Sequence, residues 1–194
     1  MTHSIKKGQY AMNPDYNITL ARGNHPAPPD DCGNPQRCLF EWYNWLTRAT
    51  HTAARPPVLH TFGMRLNDIL PDDRRQELVR FLPNGEDRLA GTEHDGKDET
   101  RGYIALDWLI RTYTPTWLDL AGLTAEAGAL RDLRRISDLA AARAAGPVVR
   151  DARSKANAAW AAAWDAAWAA AGLQGSAIAL YDMLITGEWP KYGI

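Results

Sequence analysis

From Cys38 onward the chain alternates segments with apolar residues at helical spacing and segments dense in Pro, Gly and charge. In CLFEWYNWLTRAT, Leu39, Trp42, Tyr43 and Leu46 occupy positions i, i+3, i+4 and i+7, the inner face of a helix. Pro56 and Pro57 break that text, and Val58, Leu59, Phe62, Leu66, Ile69 and Leu70 then share one side of a second helix. Pro71 suits the first position of a third, since its missing N–H would have no partner there, and Asp72 and Asp73 favour a helix start. That helix is expected to end near Leu82, before Pro83. PNGEDRLAGTEHDGKDET reads as a loop. RGYIALDWLIRTYT follows, apolar around most of its circumference except for Thr100, Asp107, Arg111 and Thr114, which predicts the buried centre of a bundle. Asp107 and Arg111 can pair at i, i+4.

TPTWLDLAG predicts a short helix from Pro115 to Gly122. Thr124 can cap another, with Leu130, Leu133, Ile136 and Leu139 facing inward and Gly146–Pro147 closing it. A long helix is expected from Val148 to Ala171, and a last one in SAIALYDMLITG after Gly172 and Gly175. No segment alternates like a strand, so the fold class is all-α: a multi-helix bundle of about six to eight helices. Residues 1–37, with NPDYN and GNHPAPPDDCGNPQ, predict a polar, poorly structured arm. The expected organisation is this arm, one helical domain over residues 38–186 and a tail over 187–194.

Within the long helix, AAWAAAWDAAWAAAG sets Trp160, Trp164 and Trp168 four residues apart, a ridge drifting by about 40° per step on a helical wheel. Ala156, Ala163, Ala167 and Ala171 form a smooth seam beside it, while Asp151, Lys155 and Asp165 mark the solvent side. Toward the N-terminus the ridge meets Asn157, Arg153 and Arg150, so it runs along a boundary. Two uses follow: the tryptophans lock the helix onto the bundle, or they serve with Arg150 and Arg153 as a partner surface, since Trp and Arg dominate binding hot spots.

The 194 residues suffice for a hydrophobic core, and 22 basic against 23 acidic side chains leave a formal charge of −1, with no overall attraction to nucleic acid or anionic membrane. The only cysteines are Cys32 and Cys38, and the first residues lack an apolar signal core, so a cytoplasmic protein is expected. The longest apolar run is interrupted by Asp165 and is too short for a membrane span.

Candidate chemistry is sparse. Cys32, Cys38, His51 and His60 could ligate a metal, but zinc sites pair ligands at much tighter spacing, and no metal or cofactor is expected. Ser137, Ser154 and Ser176 lie in helical text without a strained nucleophile turn. The loop carboxylates Glu86, Asp87, Glu93, Asp95, Asp98 and Glu99, with His94 among them, lack the calcium-loop pattern. Arg131, Arg134 and Arg135, extended by Arg143, Arg150 and Arg153, make the best basic patch; Asp132, Asp138 and Asp151 blunt it.

The segments CLFEWYNWLTRATHT, MRLNDILPDDRRQELV, DETRGYIALDWLIRTYTPTWLDLAGL, AAGPVVRDAR and SAIALYDM resemble, in this order, a family of uncharacterised all-helical proteins of high-GC actinobacteria and their phages. The resemblance covers residues 37–185 and implies a helical fold, with no activity, cofactor or catalytic residue attached. The leading expectation is a non-catalytic protein-interaction module, a homo-oligomer or a phage-borne modulator of a host protein. The alternatives are an enzyme with a site around His51 and His60 or the acidic loop 86–99, and an Arg-dependent nucleic-acid binder.

Overall fold

A computed structural model describes residues 18–23, 36–47, 56–83, 88–156 and 171–190. Among them the regular structure is helical, apart from one isolated parallel bridge between Leu20 and Arg37. Contacts divide the chain into two units, Met1–Pro56 with His60–His94 and Pro57–Leu59 with Asp95–Ile194.

In the first unit, α1 (Leu39–Thr47) starts where Glu41 reaches back to accept the Cys38 N–H at 2.7 Å, one half of a capping box. Its buried face holds Leu39, Phe40, Trp42 and Tyr43. Helix α2 (Pro57–Ile69) has Pro57 in its first turn, and α3 (Asp72–Arg75) tightens into a 3₁₀ turn over Gln76–Phe81. The inner stripe of α2 differs from the apolar pattern. Ile69 is 44% exposed, whereas Asn67 is fully buried between Leu66 and Leu70. Asn67 accepts the Leu39 N–H at 3.1 Å and donates to the Ala21 carbonyl at 2.9 Å, so it joins three segments.

Arg75 closes the end of α2, donating to the carbonyls of Asn67 at 2.6 Å and Leu70 at 2.7 Å. These carbonyls have no partner within the helix, and a cation beside them also suits the helix dipole. Part of the expected arm is held too. Gln76 bonds both the N–H and the carbonyl of Leu20, at 2.8 and 3.0 Å, and Trp42 donates its indole N–H to Thr19 at 3.0 Å.

In the second unit, α4 (Asp98–Trp108) passes through a π-helical turn, Leu109–Tyr113, into α5 (Thr114–Leu120). The expected break before Pro115 is therefore absent. A π turn carries one extra residue, which moves the strain of a proline ring and its lost N–H away from the usual i−4 carbonyl. The extra residue also rotates the following side chains by about 100°, so one wheel drawn through RGYIALDWLIRTYT misplaces its second half. Only Arg101, Ile104 and Trp108 of α4 are buried, and Leu109 is 45% exposed. The helix expected at the bundle centre is thus half solvated. That deeply buried role belongs to α8 (Ala171–Thr186), which buries Leu173, Ala177, Ile178, Leu180, Tyr181, Leu184 and Ile185 and packs against α4.

Helix α5 ends in a Schellman turn: Gly122 has φ +77°, its N–H bonds Asp119, and Leu123 N–H bonds Leu118 at 2.8 Å. Helix α6 (Thr124–Arg131) is shorter than its apolar spacing suggests. The chain leaves the helix because the Asp107 carboxylate accepts the Ile136 N–H at 2.7 Å, and Leu139 is left 54% exposed. Asp138 then accepts the Ala141 N–H at 2.7 Å and starts α7 (Leu139–Ala156). Gly146 and Pro147 do not close a helix; they lie inside α7, where Pro147 is exposed. Likewise Gly172 and Gly175 fall inside α8.

Candidate functional site

The second unit has a polar cleft of about 340 Å³ built by α4, the π turn, the end of α6 and the residues after α8. Arg111, Arg131 and Arg135 line it, against one lining carboxylate, Asp107. The π turn delivers Arg111 and Thr112, and Thr116 joins them from α5. Trp108, Met183, Trp189 and Pro190 supply apolar wall. Asp107 is already engaged: besides the Ile136 N–H, it meets Arg111 at 3.3 Å through both oxygens. The Arg111 Nε is buried without a hydrogen-bond partner among the described residues. A buried donor left so costs about 1–3 kcal/mol. Arg131 pairs with Asp119, while the Arg135 guanidinium lies 5.1 Å from the centre of the Trp189 ring.

A second, apolar groove of about 290 Å³ lies among the π turn, α5, α6 and α7, lined by Ile110, Trp117, Leu118, Leu130, Val149 and Ala152, with Arg153 and Ala156 at the far end of α7. Arg150 and Arg153 are both exposed. Trp160, Trp164 and Trp168 lie outside the described residues.

The other sequence candidates scatter. Cys38 is buried, and burial pushes its thiol up to about 11, far from the thiolate that a nucleophile or metal ligand requires. Cys32 and His51 lie outside the described residues; His60 is exposed on α2 with its ring 4.7 Å from that of Phe40. In the acidic loop, Glu86 and Asp87 lie outside the described residues, and Asp95 grips Arg101 with both oxygens, at 2.8 and 2.6 Å. Arg101 is 0% exposed and also donates to the carbonyls of Leu184 at 2.7 Å and Ile185 at 3.3 Å, while Lys97 reaches Thr186 at 2.8 Å. The loop and the start of α4 therefore cap the end of α8. The Arg101 pair holds the Asp95 carboxyl below its usual range. Among the described residues no group of three or more His, Cys, Asp or Glu side chains could hold a metal ion, and no helix is long and apolar enough to cross a membrane.

No known family, curated protein or solved structure matches the chain. The geometry therefore stands on its own. Of the basic patch proposed from sequence, Arg131 and Arg135 converge on the polar cleft, whereas Arg134 is outside its lining and Arg143 and Arg150 are exposed on α7. Thr112 and Trp189 complete the cleft and were invisible to pattern reading, while Arg111 was legible only as the i, i+4 partner of Asp107. The only local hint was Pro115, a proline in otherwise continuous helical text.

Proposed function

We propose that the protein is a non-catalytic, cytoplasmic interaction module that self-associates through its helical surface. The observation that supports this is the apolar groove bounded by Trp117, Leu130 and Val149. Its occupant, in this proposal, is the Trp160, Trp164 and Trp168 segment of a second copy. One chain thus carries both an apolar receptor and a run of large aromatic side chains. A tryptophan buries about 150–250 Å², so six of them across a two-fold contact approach the roughly 1,200 Å² at which specific interfaces begin. Arg153 at the groove and Arg150 beside it supply guanidinium groups for cation–π contact with the incoming indoles.

Sedimentation equilibrium tests the proposal. The intact protein is expected to be a dimer at roughly 100 µM, and both Val149→Glu and the combined Trp160→Ala, Trp164→Ala and Trp168→Ala variant are expected to be monomers. A monomeric intact protein with its tryptophans shielded from quencher would mean that the segment is accommodated within one chain, and self-association would be discarded.

A further inference from the structure

We propose that the cleft lined by Arg111, Arg131 and Arg135 binds a phosphomonoester that carries a flat ring, a ligand of the nucleoside monophosphate class. This site is separate from the apolar groove and does not depend on self-association.

Three features carry the assignment. The first is charge. Three guanidinium groups line the cleft; Asp107 pairs with Arg111 and Asp119 with Arg131, which leaves one net positive charge, on Arg135, to draw an anion. Guanidinium forks also fit phosphate oxygens in pairs.

The second is an unmet donor. The Arg111 Nε is buried and has no acceptor among the described residues, and Arg111 is delivered to the cleft by a π turn. Such turns recur at functional sites because they re-aim side chains that a regular helix would point elsewhere. A bound phosphate oxygen supplies that acceptor only when the Arg111 side chain turns toward the cleft, since its Nε has no exposed surface as it stands.

The third is shape. Trp189, Met183 and Pro190 form an apolar wall next to the arginines, and Arg135 lies against the Trp189 face. A flat ring can stack there while its phosphate meets the guanidinium groups, and about 340 Å³ is within the range of small-molecule sites. Inorganic phosphate alone would leave that wall unused.

Isothermal titration of the full chain with the four ribonucleoside monophosphates, the matching unphosphorylated nucleosides and inorganic phosphate distinguishes the contributions. At least one monophosphate is expected to bind at a single site, at least about tenfold tighter than inorganic phosphate, with no binding of its nucleoside. Arg135→Ala and Arg111→Ala are each expected to weaken binding about tenfold or more, whereas Arg134→Ala leaves it unchanged. Circular dichroism melts check that the variants fold. If Arg111→Ala does not, the exposed Arg135→Ala and Arg131→Ala carry the same test. No binding tighter than roughly 1 mM at low salt overturns the proposal. So does equal loss in Arg134→Ala and Arg135→Ala, or binding confined to oligonucleotides, since both indicate a diffuse basic surface.

Discussion

Three buried polar side chains, Asn67, Arg75 and Arg101, do more to organise these helices than their small number suggests. Each closes backbone groups that apolar neighbours could not satisfy, and the two arginines do so at helix C-termini. Arg101→Met should therefore lower the unfolding free energy by about 3–5 kcal/mol in urea melts, because Asp95 and the α8 carbonyls lose their partner together. A loss under about 1 kcal/mol would show that these groups rehydrate without strain. Cys38 makes the opposite prediction. Its thiol is raised by burial to about 11, so its favourable contribution is full below the unfolded thiol value and fades as pH rises toward 11. Peptide-mapped alkylation at pH 8 should leave Cys38 unmodified in the native protein and label it in denaturant. Neither arginine was legible as a buried anchor, since TRGY and DDRRQ look like solvated helix text; the partners are backbone carbonyls, which carry no sequence signature.

At the scale of elements, local signals found helices better than they found their ends. The start of α1, the proline opening α2 and the Gly122 turn all follow from residue chemistry that acts within a few positions. Gly122→Ala should cost about 1 kcal/mol, because alanine is strained at φ +77° even where the space is open. Asp138→Ala should cost a similar amount, about 1 kcal/mol, by removing the α7 cap. Pro147 is the informative exception. It sits exposed within α7, so Pro147→Ala should restore one backbone hydrogen bond and raise the melting temperature, with a net gain of about 1–2 kcal/mol after the unfolded-state entropy is counted. A lower melting temperature would mean that the proline ring is needed by the packing around it. The stop expected at Gly146–Pro147 failed because helix propensity in LAAARAA and a good cap outweigh one missing donor. The continuation expected through Leu133 and Ile136 failed because Asp107, distant in sequence, claims a backbone N–H there.

For the molecule as a whole, the carboxylates that matter most to stability are ones held by cations. Asp95 is held below its ordinary range first by its hydrogen bonds to Arg101. A lowered carboxyl value contributes stability above the unfolded value and loses it as pH falls through the folded one. Acid unfolding of the second unit should therefore flatten in Asp95→Asn, whose stability near neutral pH is already reduced. An unchanged acid limb would place the acid sensitivity elsewhere. The near-zero net charge limits long-range attraction, so any ligand in the arginine cleft must be captured by local geometry and should be released by salt.

By itself the sequence determined the helical class, the position of most helices and the scarcity of recognisable catalytic motifs, because periodicity, proline and glycine act over one or two turns. Tertiary structure decided which helix is buried, where α6 stops, how the segment around Leu20 is held and which arginines meet. Those outcomes depend on partners far apart in the chain: Asp107 with Ile136, Asn67 with Leu39 and Ala21, Arg101 with Leu184, and Arg135 with Trp189. A hydrogen bond or a stacked guanidinium needs its donor and acceptor within a few ångströms, and only the folded chain brings them there.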